Sequence, residues 1–287
     1  MWEYVEYGAD GTGGMLAQVR RLSPVIHCIT NYVTANDVAN MILAAGASPV
    51  MADGIREVED MGAVSQGLVL NLGTLKETAV EAMLLAGKTA AALGHPVVFD
   101  PVGVGASAFR REIALQILTE VPCTVIRGNA SEIRALALGT ARCRGVDADG
   151  REALTEENRQ DTIRMMQELS RGTGAVIVMT GAVDVVADEK QVCLVRNGTS
   201  MMGQITGSGC MLDGVLAAFL AAGNMAGVSS GFRQTVCAVA AYGLCGELAY
   251  EKTIRAGQGT GSFRVHLMDA MSLLTEEELK RGMNIES

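Results

Sequence analysis

The chain lacks an excess of positive charge. Its 287 residues carry 23 Lys plus Arg against 32 Asp plus Glu, a net −9 at pH 7, and no basic run. That argues against non-specific binding to nucleic acid or to an anionic membrane, which depends on Lys and Arg displacing counterions. Any anionic ligand has to be held locally, by backbone amides and a few placed cations. The chain is also poor in metal ligands of the zinc type. It has three histidines, His27, His95 and His266, far apart in sequence, and no Cys-x-x-Cys pair among seven cysteines. A His-based zinc site is not expected. Cys28, Cys123, Cys193, Cys237 and Cys245 read as small reduced core residues, which points to the cytoplasm. No apolar run reaches the length of a membrane span. The most apolar stretch, Val215 to Ala222, is far too short, and Asp213 and Gly214 precede it. Met1 to Glu6 has neither a basic nor an apolar leader region, so no secretory signal is expected.

What is present is a core. A hydrophobic fraction of 49% against 19% charged excludes a disordered chain. At this length roughly three quarters of the extended-chain surface is buried on folding. Short β-branched runs alternate with Ala/Leu/Met-rich segments. The pattern predicts strands over 25–29, 48–51, 68–71, 96–100, 123–127 and 175–179. It predicts helices over 34–45 (Thr34 as N-cap), 55–64, 76–93, 108–119, 130–138 and 156–169. Residues 183–187 and 191–195 read as a hairpin on the sheet edge. From Cys210 onward the chain reads as almost all helix, and the polar stretch 142–155 as a surface insertion. Continuous apolar strands separated by helices argue an α/β fold whose mostly parallel sheet is covered on both faces. With no repeat or hinge linker, residues 1–287 read as a single domain.

Three glycine-containing segments are candidates for phosphate binding. Gly87-Lys88-Thr89 resembles the end of a phosphate-binding loop. However, Ala82 stands where its first glycine belongs, and the segment falls within a helix whose amides are already bonded. Gly103-Val104-Gly105-Ala106-Ser107-Ala108 fits the spacing of a dinucleotide fingerprint. The ribose-binding acid is not at the end of the next strand, and Asp100-Pro101 at the preceding strand end points to other chemistry. The strongest is Ile205-Thr206-Gly207-Ser208-Gly209-Cys210, which runs straight into an apolar helix. There Gly207, Ser208 and Gly209 leave successive N–H groups unhindered at a helix N-terminus, an anion hole. Cys210 falls in the first turn, a setting that lowers a thiol's pKa. A cysteine hydrolase would require an orienting His, and His266 is the only one downstream.

Seven blocks in order resemble the hydroxyethylthiazole kinase family. They are Asn31-Tyr32-Val33, Ser48-Pro49-Val50-Met51, Asn71-Leu72-Gly73-Thr74, Phe99-Asp100-Pro101-Val102-Gly103, Arg127-Gly128-Asn129-Ala130-Ser131-Glu132, Val178-Met179-Thr180-Gly181 and Thr206-Gly207-Ser208-Gly209-Cys210. The resemblance implies a ribokinase-like three-layer α/β/α sandwich, a homotrimer with active sites between subunits, and Mg2+- and ATP-dependent phosphorylation of the primary alcohol of 4-methyl-5-(2-hydroxyethyl)thiazole in thiamine biosynthesis. It implies that Met51, Asn31 and Gly207 contact the thiazole, that Arg127 and Thr180 contact ATP, and that Asp100 and Glu132 hold Mg2+, directly or through water.

Most ribokinase-like kinases carry Asp at the position of Cys210, and the cysteine is characteristic of the thiazole branch. It leaves the identity of the base open. Ala52-Asp53-Gly54 departs from the Ala-His type of pair expected after Met51, with Asp53 expected to face solvent. Two other readings stay in view. One is a ribokinase-like kinase of another small alcohol, such as a hydroxymethylpyrimidine or a sugar, against which the apolar Val33 and Met51 speak. The other is a non-catalytic nucleotide-binding regulator, which has no need of a complete γ-phosphate cradle.

Overall fold

The computed structural model describes residues 14–139, 154–155, 157–228 and 231–287. The readings of Met1 to Glu6 and of all but the last two residues of the 142–155 insertion lie outside these. The strands are β1 Val25–Ile29, β2 Ser48–Met51, β3 Gly67–Asn71, β4 Val97–Asp100, β5 Val125–Asn129, β6 Val176–Thr180, β7 Asp184–Ala187, β8 Val192–Val195 and β9 Ile285–Glu286. They form one sheet in the order β2-β1-β3-β4-β5-β6-β7-β8-β9. All pairs from β2 to β6 are parallel. Those from β6 to β9 are antiparallel.

Every residue of β3 and β4 is buried, as a parallel strand covered on both faces requires. Side chains alternate between two cores with the strand period of two. Val69, Val98 and Val125 face one core with helices α1 Met15–Leu22, α2 Ala35–Ala45, α8 Ser208–Met225, α9 Gly231–Arg255 and α10 Thr260–Leu273. Leu70, Phe99 and Ile126 face the other with α3 Val58–Val64, α4 Glu77–Ala92, α5 Ala108–Glu120, α6 Ala130–Gly139 and α7 Arg159–Thr173. The last helix, α11 Glu276–Gly282, is closed by a capping box between Thr275 and Glu278. The result is a three-layer α/β/α sandwich. Among the described residues one helix, α8, is long and apolar enough to cross a membrane. Its residues from Cys210 to Ala222 are all buried in the protein core.

The departures from expectation are local. Strand β5 starts and ends two residues later than the apolar run suggests, so Arg127 lies mid-strand. Helix α3 begins at Val58 and α7 spans Arg159–Thr173. Helix α1 has no counterpart in the sequence reading, and the helical tail ends in β9. That strand pairs with β8, so the hairpin is not the edge of the sheet. Thr34 stands at the N-cap of α2, but its hydroxyl does not bond that helix; it donates to the Asn31 carbonyl at 3.3 Å. Gly87 lies inside α4, with its face against Val121, and Lys88 pairs with Glu120 at 2.5 Å. That segment is a helix surface and not a phosphate loop. The six described cysteines are free and buried.

Candidate active site

The parallel register places Asn71 directly beside Asp100 at the C-terminal ends of β3 and β4, the edge where open α/β sheets bind ligands. Both are buried, Asp100 completely. The Asn71 Nδ2 amide donates to Asp100 Oδ2 at 2.7 Å. From β5, Arg127 Nη1 donates to the same carboxylate oxygen at 3.1 Å. Its Nη2 donates to Thr180 Oγ1 on β6, also at 3.1 Å. Burial alone would lower the pKa of the Arg127 guanidinium, but the surrounding Asp100, Asp213 and Glu132 outweigh it and hold the side chain firmly cationic. Burial raises the pKa of Asp100, and Arg127 opposes that. The second oxygen, Asp100 Oδ1, is buried with no hydrogen-bond partner, a donor left available to a hard cation.

Helix α8 approaches this edge with its N-terminus. Gly207 caps it at φ +82°, a left-handed conformation that costs other residues about 1 kcal/mol or more. A Cβ there would also come within 2.6 Å of Thr34 Cγ2. Gly209 faces another neighbour, since a Cβ on it would collide with the Arg127 guanidinium. The helix start is therefore wedged between two sides, the 31–34 loop against Gly207 and Arg127 against Gly209. Tyr242 of α9 secures the wedge by donating its hydroxyl hydrogen to the Ser208 carbonyl at 2.8 Å.

Cys210 lies in the first turn and is buried. The helix end does not set its acidity. Burial first, then the neighbouring Asp213 charge, push the thiol up to about 12, with a hydrogen bond to Thr34 pulling the other way. The sequence expectation of a lowered pKa is reversed because the thiol is buried and, second, faces two carboxylates.

On the Arg127 side lies a cavity of about 550 Å³, lined by Thr180, Asp184, Ser208, Gly209, Leu212 and Tyr242 among others. Its size suits a nucleotide-scale ligand. Glu132, in the first turn of α6, has both carboxylate oxygens engaged. Oε1 accepts from Gly103 N–H and Oε2 from Asn129 N–H, each at 2.9 Å. It ties the β4 and β5 loops together, and its remaining lone pairs are free for a hydrated ion. Glu132 thus clasps the loop that carries Gly103.

Of the residues singled out from sequence, Asp100, Arg127, Thr180, Cys210 and the glycines of the anion hole converge. Asn31 and Met51 stand apart from the cavity, at the ends of β1 and β2. Asn31 packs against Gly73, and Met51, 40% exposed, borders the exposed Tyr32 and Val33 side of the sheet. Asp53 is exposed as expected, and it accepts a hydrogen bond from the Tyr32 hydroxyl. His266 bonds Thr253 at 2.9 Å. Sequence reading missed Asn71, Thr34 and Asp213 as site residues. For Asp213 the signal was available: a lone acid one turn beyond Cys210 in an otherwise apolar helix.

A largely parallel α/β/α sandwich whose glycine-flanked helix start meets an arginine–aspartate pair is the arrangement of a small-molecule kinase of the ribokinase-like type. A ribokinase-like superfamily protein from Enterococcus faecalis shares the fold with a TM-score of 0.56 at 14% identity, covering 86% of each chain. The chain belongs to the hydroxyethylthiazole kinase family, whose model matches residues 16–277. It is 47% identical over 272 residues to the hydroxyethylthiazole kinase of Clostridium acetobutylicum, covering 95% of this chain and 98% of that one. With the enzyme of Desulfovibrio desulfuricans it is 48% identical over 267 residues, covering 91% and 92%. The structure of the hydroxyethylthiazole kinase from Pyrococcus horikoshii superposes with a TM-score of 0.82 at 33% identity, covering 95% and 96%.

Proposed function

We propose that this protein transfers the terminal phosphoryl group of ATP to the primary alcohol of 4-methyl-5-(2-hydroxyethyl)thiazole, in thiamine biosynthesis, as a single kinase domain over residues 1–287. The observation that carries the mechanism is the wedge. One helix N-terminus faces Arg127 and a nucleotide-sized cavity through Gly209, and faces the Asn31–Thr34 loop through Gly207.

Phosphoryl transfer passes through a loose transition state, so it depends on positioning and charge neutralisation more than on covalent help. The cavity holds ATP, with Arg127 and Thr180 on its phosphates. The N–H groups of Gly207, Ser208 and Gly209, at the positive end of α8, receive the phosphoryl oxygens. Asp100, with Glu132 through water, would hold Mg2+, whose charge neutralises the triphosphate. Cys210 positions the alcohol and takes its proton late; a thiol pushed up to about 12 is protonated at neutral pH, so it cannot act as an early base. Met51, Asn31 and Gly207 form the thiazole side.

That side is open in the single chain. Tyr32, Val33 and Met51 are 55%, 69% and 40% exposed. An apolar pocket wall so exposed supports a homotrimer in which a neighbouring subunit covers the thiazole. The protein is read as cytoplasmic.

The test is ADP release from Mg-ATP with the thiazole alcohol, with hydroxymethylpyrimidine and ribose in parallel. Turnover with the thiazole alone is expected. Turnover with another alcohol in its place would keep the phosphate chemistry and overturn the Met51 pocket. No ADP from any of them would overturn the kinase reading.

A further inference from the structure

Asn71 lies at the centre of a group the proposed chemistry does not account for. Its side chain is buried, and the orientation of its amide is fixed because Oδ1 accepts the Gly73 N–H at 2.8 Å. The Nδ2 end then faces three acceptors from two other elements. They are Asp100 Oδ2 at 2.7 Å, Asp213 Oδ2 at 3.1 Å and Cys210 Sγ at 3.4 Å. An amide nitrogen carries two hydrogens, so three acceptors compete for two bonds. One acceptor is a carboxylate of the phosphate side, another is the sulfur of the alcohol side, and the third is an acid wholly inside α8. Asp213 is completely buried. Its Oδ2 accepts from the Asn71 amide, and a hydrogen bond shared with the Asp100 carboxyl raises the pKa of Asp213 and lowers that of Asp100. An acid in this setting raises the cost of the fold unless its hydrogen bonding is used.

The geometry assigns Asn71 and Asp213 as positioning residues for phosphoryl transfer. The Asn71 amide holds the Asp100 carboxylate and the Cys210 sulfur at one spacing, and Asp213 anchors that amide from inside helix α8. Neither residue touches substrate. They act by keeping β3, β4 and the first turn of α8 in register, so that the group on the phosphate and the group on the alcohol approach together. A loss of register of about 1 Å at a reacting centre costs on the order of 10²-fold in rate. The inference rests on the roles proposed above for Asp100 and Cys210, so one readout must be independent of turnover.

The kinetic test is a double-mutant cycle of Asn71→Asp, Asp213→Asn and the pair together. The pair exchanges amide and carboxylate while leaving net charge and volume the same. Each single change is expected to lower kcat by about 10²-fold with KM for ATP little altered, because the 550 Å³ cavity is untouched. The pair is expected to lose little more than Asn71→Asp alone, because a carboxylate at position 71 has already removed the donor that Asp213 anchors. Strict additivity of the two losses, or a wild-type kcat in Asn71→Asp, overturns the proposal.

The independent readout is alkylation of cysteine by iodoacetamide, followed peptide by peptide. Asn71→Ser, a smaller change that keeps one donor, is expected to speed labelling of Cys210 severalfold while Cys237 and Cys245 stay protected. Faster labelling of all three would mean general loosening of the fold and would overturn a positioning role, as would an unchanged rate at Cys210. Because labelling needs no substrate, it tests how Asn71 and Asp213 hold Cys210 even if the thiazole alcohol is not turned over. In that case the kinase assignment fails and the positioning of Cys210 is judged alone.

Discussion

The two sides of the α8 N-terminus are built differently. On the side of Gly209, Arg127 is held by Asp100 and Thr180, Ser208 is fixed by Tyr242, and a cleft of about 550 Å³ is lined by residues of one chain. On the side of Gly207, the Asn31–Thr34 loop meets solvent, and Tyr32, Val33 and Met51 are exposed. A nucleotide can be gripped by backbone amides and one arginine, which a single fold supplies at a sheet edge. A small apolar ring has few polar handles, so its affinity comes from enclosure, and on the proposed assignment one chain supplies only part of the wall. The difference teaches that phosphate chemistry and substrate selection can be altered separately.

The largest expected effect lies where both sides meet. Asp100→Asn removes the charge that pairs with Arg127 and the oxygen donor available to a cation. Both kcat and kcat/KM for the alcohol should fall by about 10²–10³-fold, the scale of losing one transition-state electrostatic group. Steady-state rates at saturating Mg2+ measure it; a loss of less than tenfold would break the assignment of Asp100. Gly207→Ala comes next. Its methyl must adopt φ +82° and displace Thr34, so it should destabilise the fold by about 1–3 kcal/mol. It should also raise KM for the alcohol more than KM for ATP. Equal effects on both would show that the two faces of the helix start are not separate. Met51→Ala should leave kcat and KM for ATP near wild type and raise KM for the alcohol by about 10-fold, the worth of a few buried methylenes. If its KM for the alcohol is unchanged, Met51 does not line the thiazole pocket.

The fold was legible from sequence where strands were fully buried. In β1, β3 and β4 the apolar run and the strand coincide within a residue or two, because both faces of the strand are covered. Strand β5 was displaced because Cys123 and Thr124 continue the apolar run, although the parallel pairing with β6 begins only at Val125. Strand β9 is two residues long, and nothing in so short a segment distinguishes it from a tail. In the site, residues that stand out by charge or by glycine spacing, such as Asp100, Arg127 and Gly207, could be named. Asn71 and Thr34 could not be given roles, because a polar residue ending an apolar strand or opening a helix has ordinary explanations. Their significance lies in partners far away in sequence: Asn71 is 139 residues from Cys210. The acidity of Cys210 was misjudged for the same reason. Helix position is local and visible, whereas the burial that raises the thiol's pKa, and Asp100 beside it, come from tertiary packing.

The smallest effect sharpens the comparison on the nucleotide side. Asp184, at the start of β7, lines the cavity and accepts a hydrogen bond from Gly181 N–H at 2.9 Å. Burial raises its pKa from 3.8 to about 6, against the opposing pull of that hydrogen bond and of Arg127. The folded protein therefore keeps this proton between about 3.8 and 6 while the unfolded chain has lost it. Stability from this group falls as pH rises through that window and is constant above it. Asp184→Asn should match wild type in Tm near pH 4 and exceed it above pH 6.5. On the proposed reading the same charge faces the triphosphate, so KM for Mg-ATP in the wild type should rise severalfold between pH 5.5 and 7. The Asn variant should lose that inflection, and KM for the thiazole alcohol should stay flat in both. An inflection in the alcohol KM that vanishes with Asp184→Asn would mean that the two sides of the helix start are coupled after all.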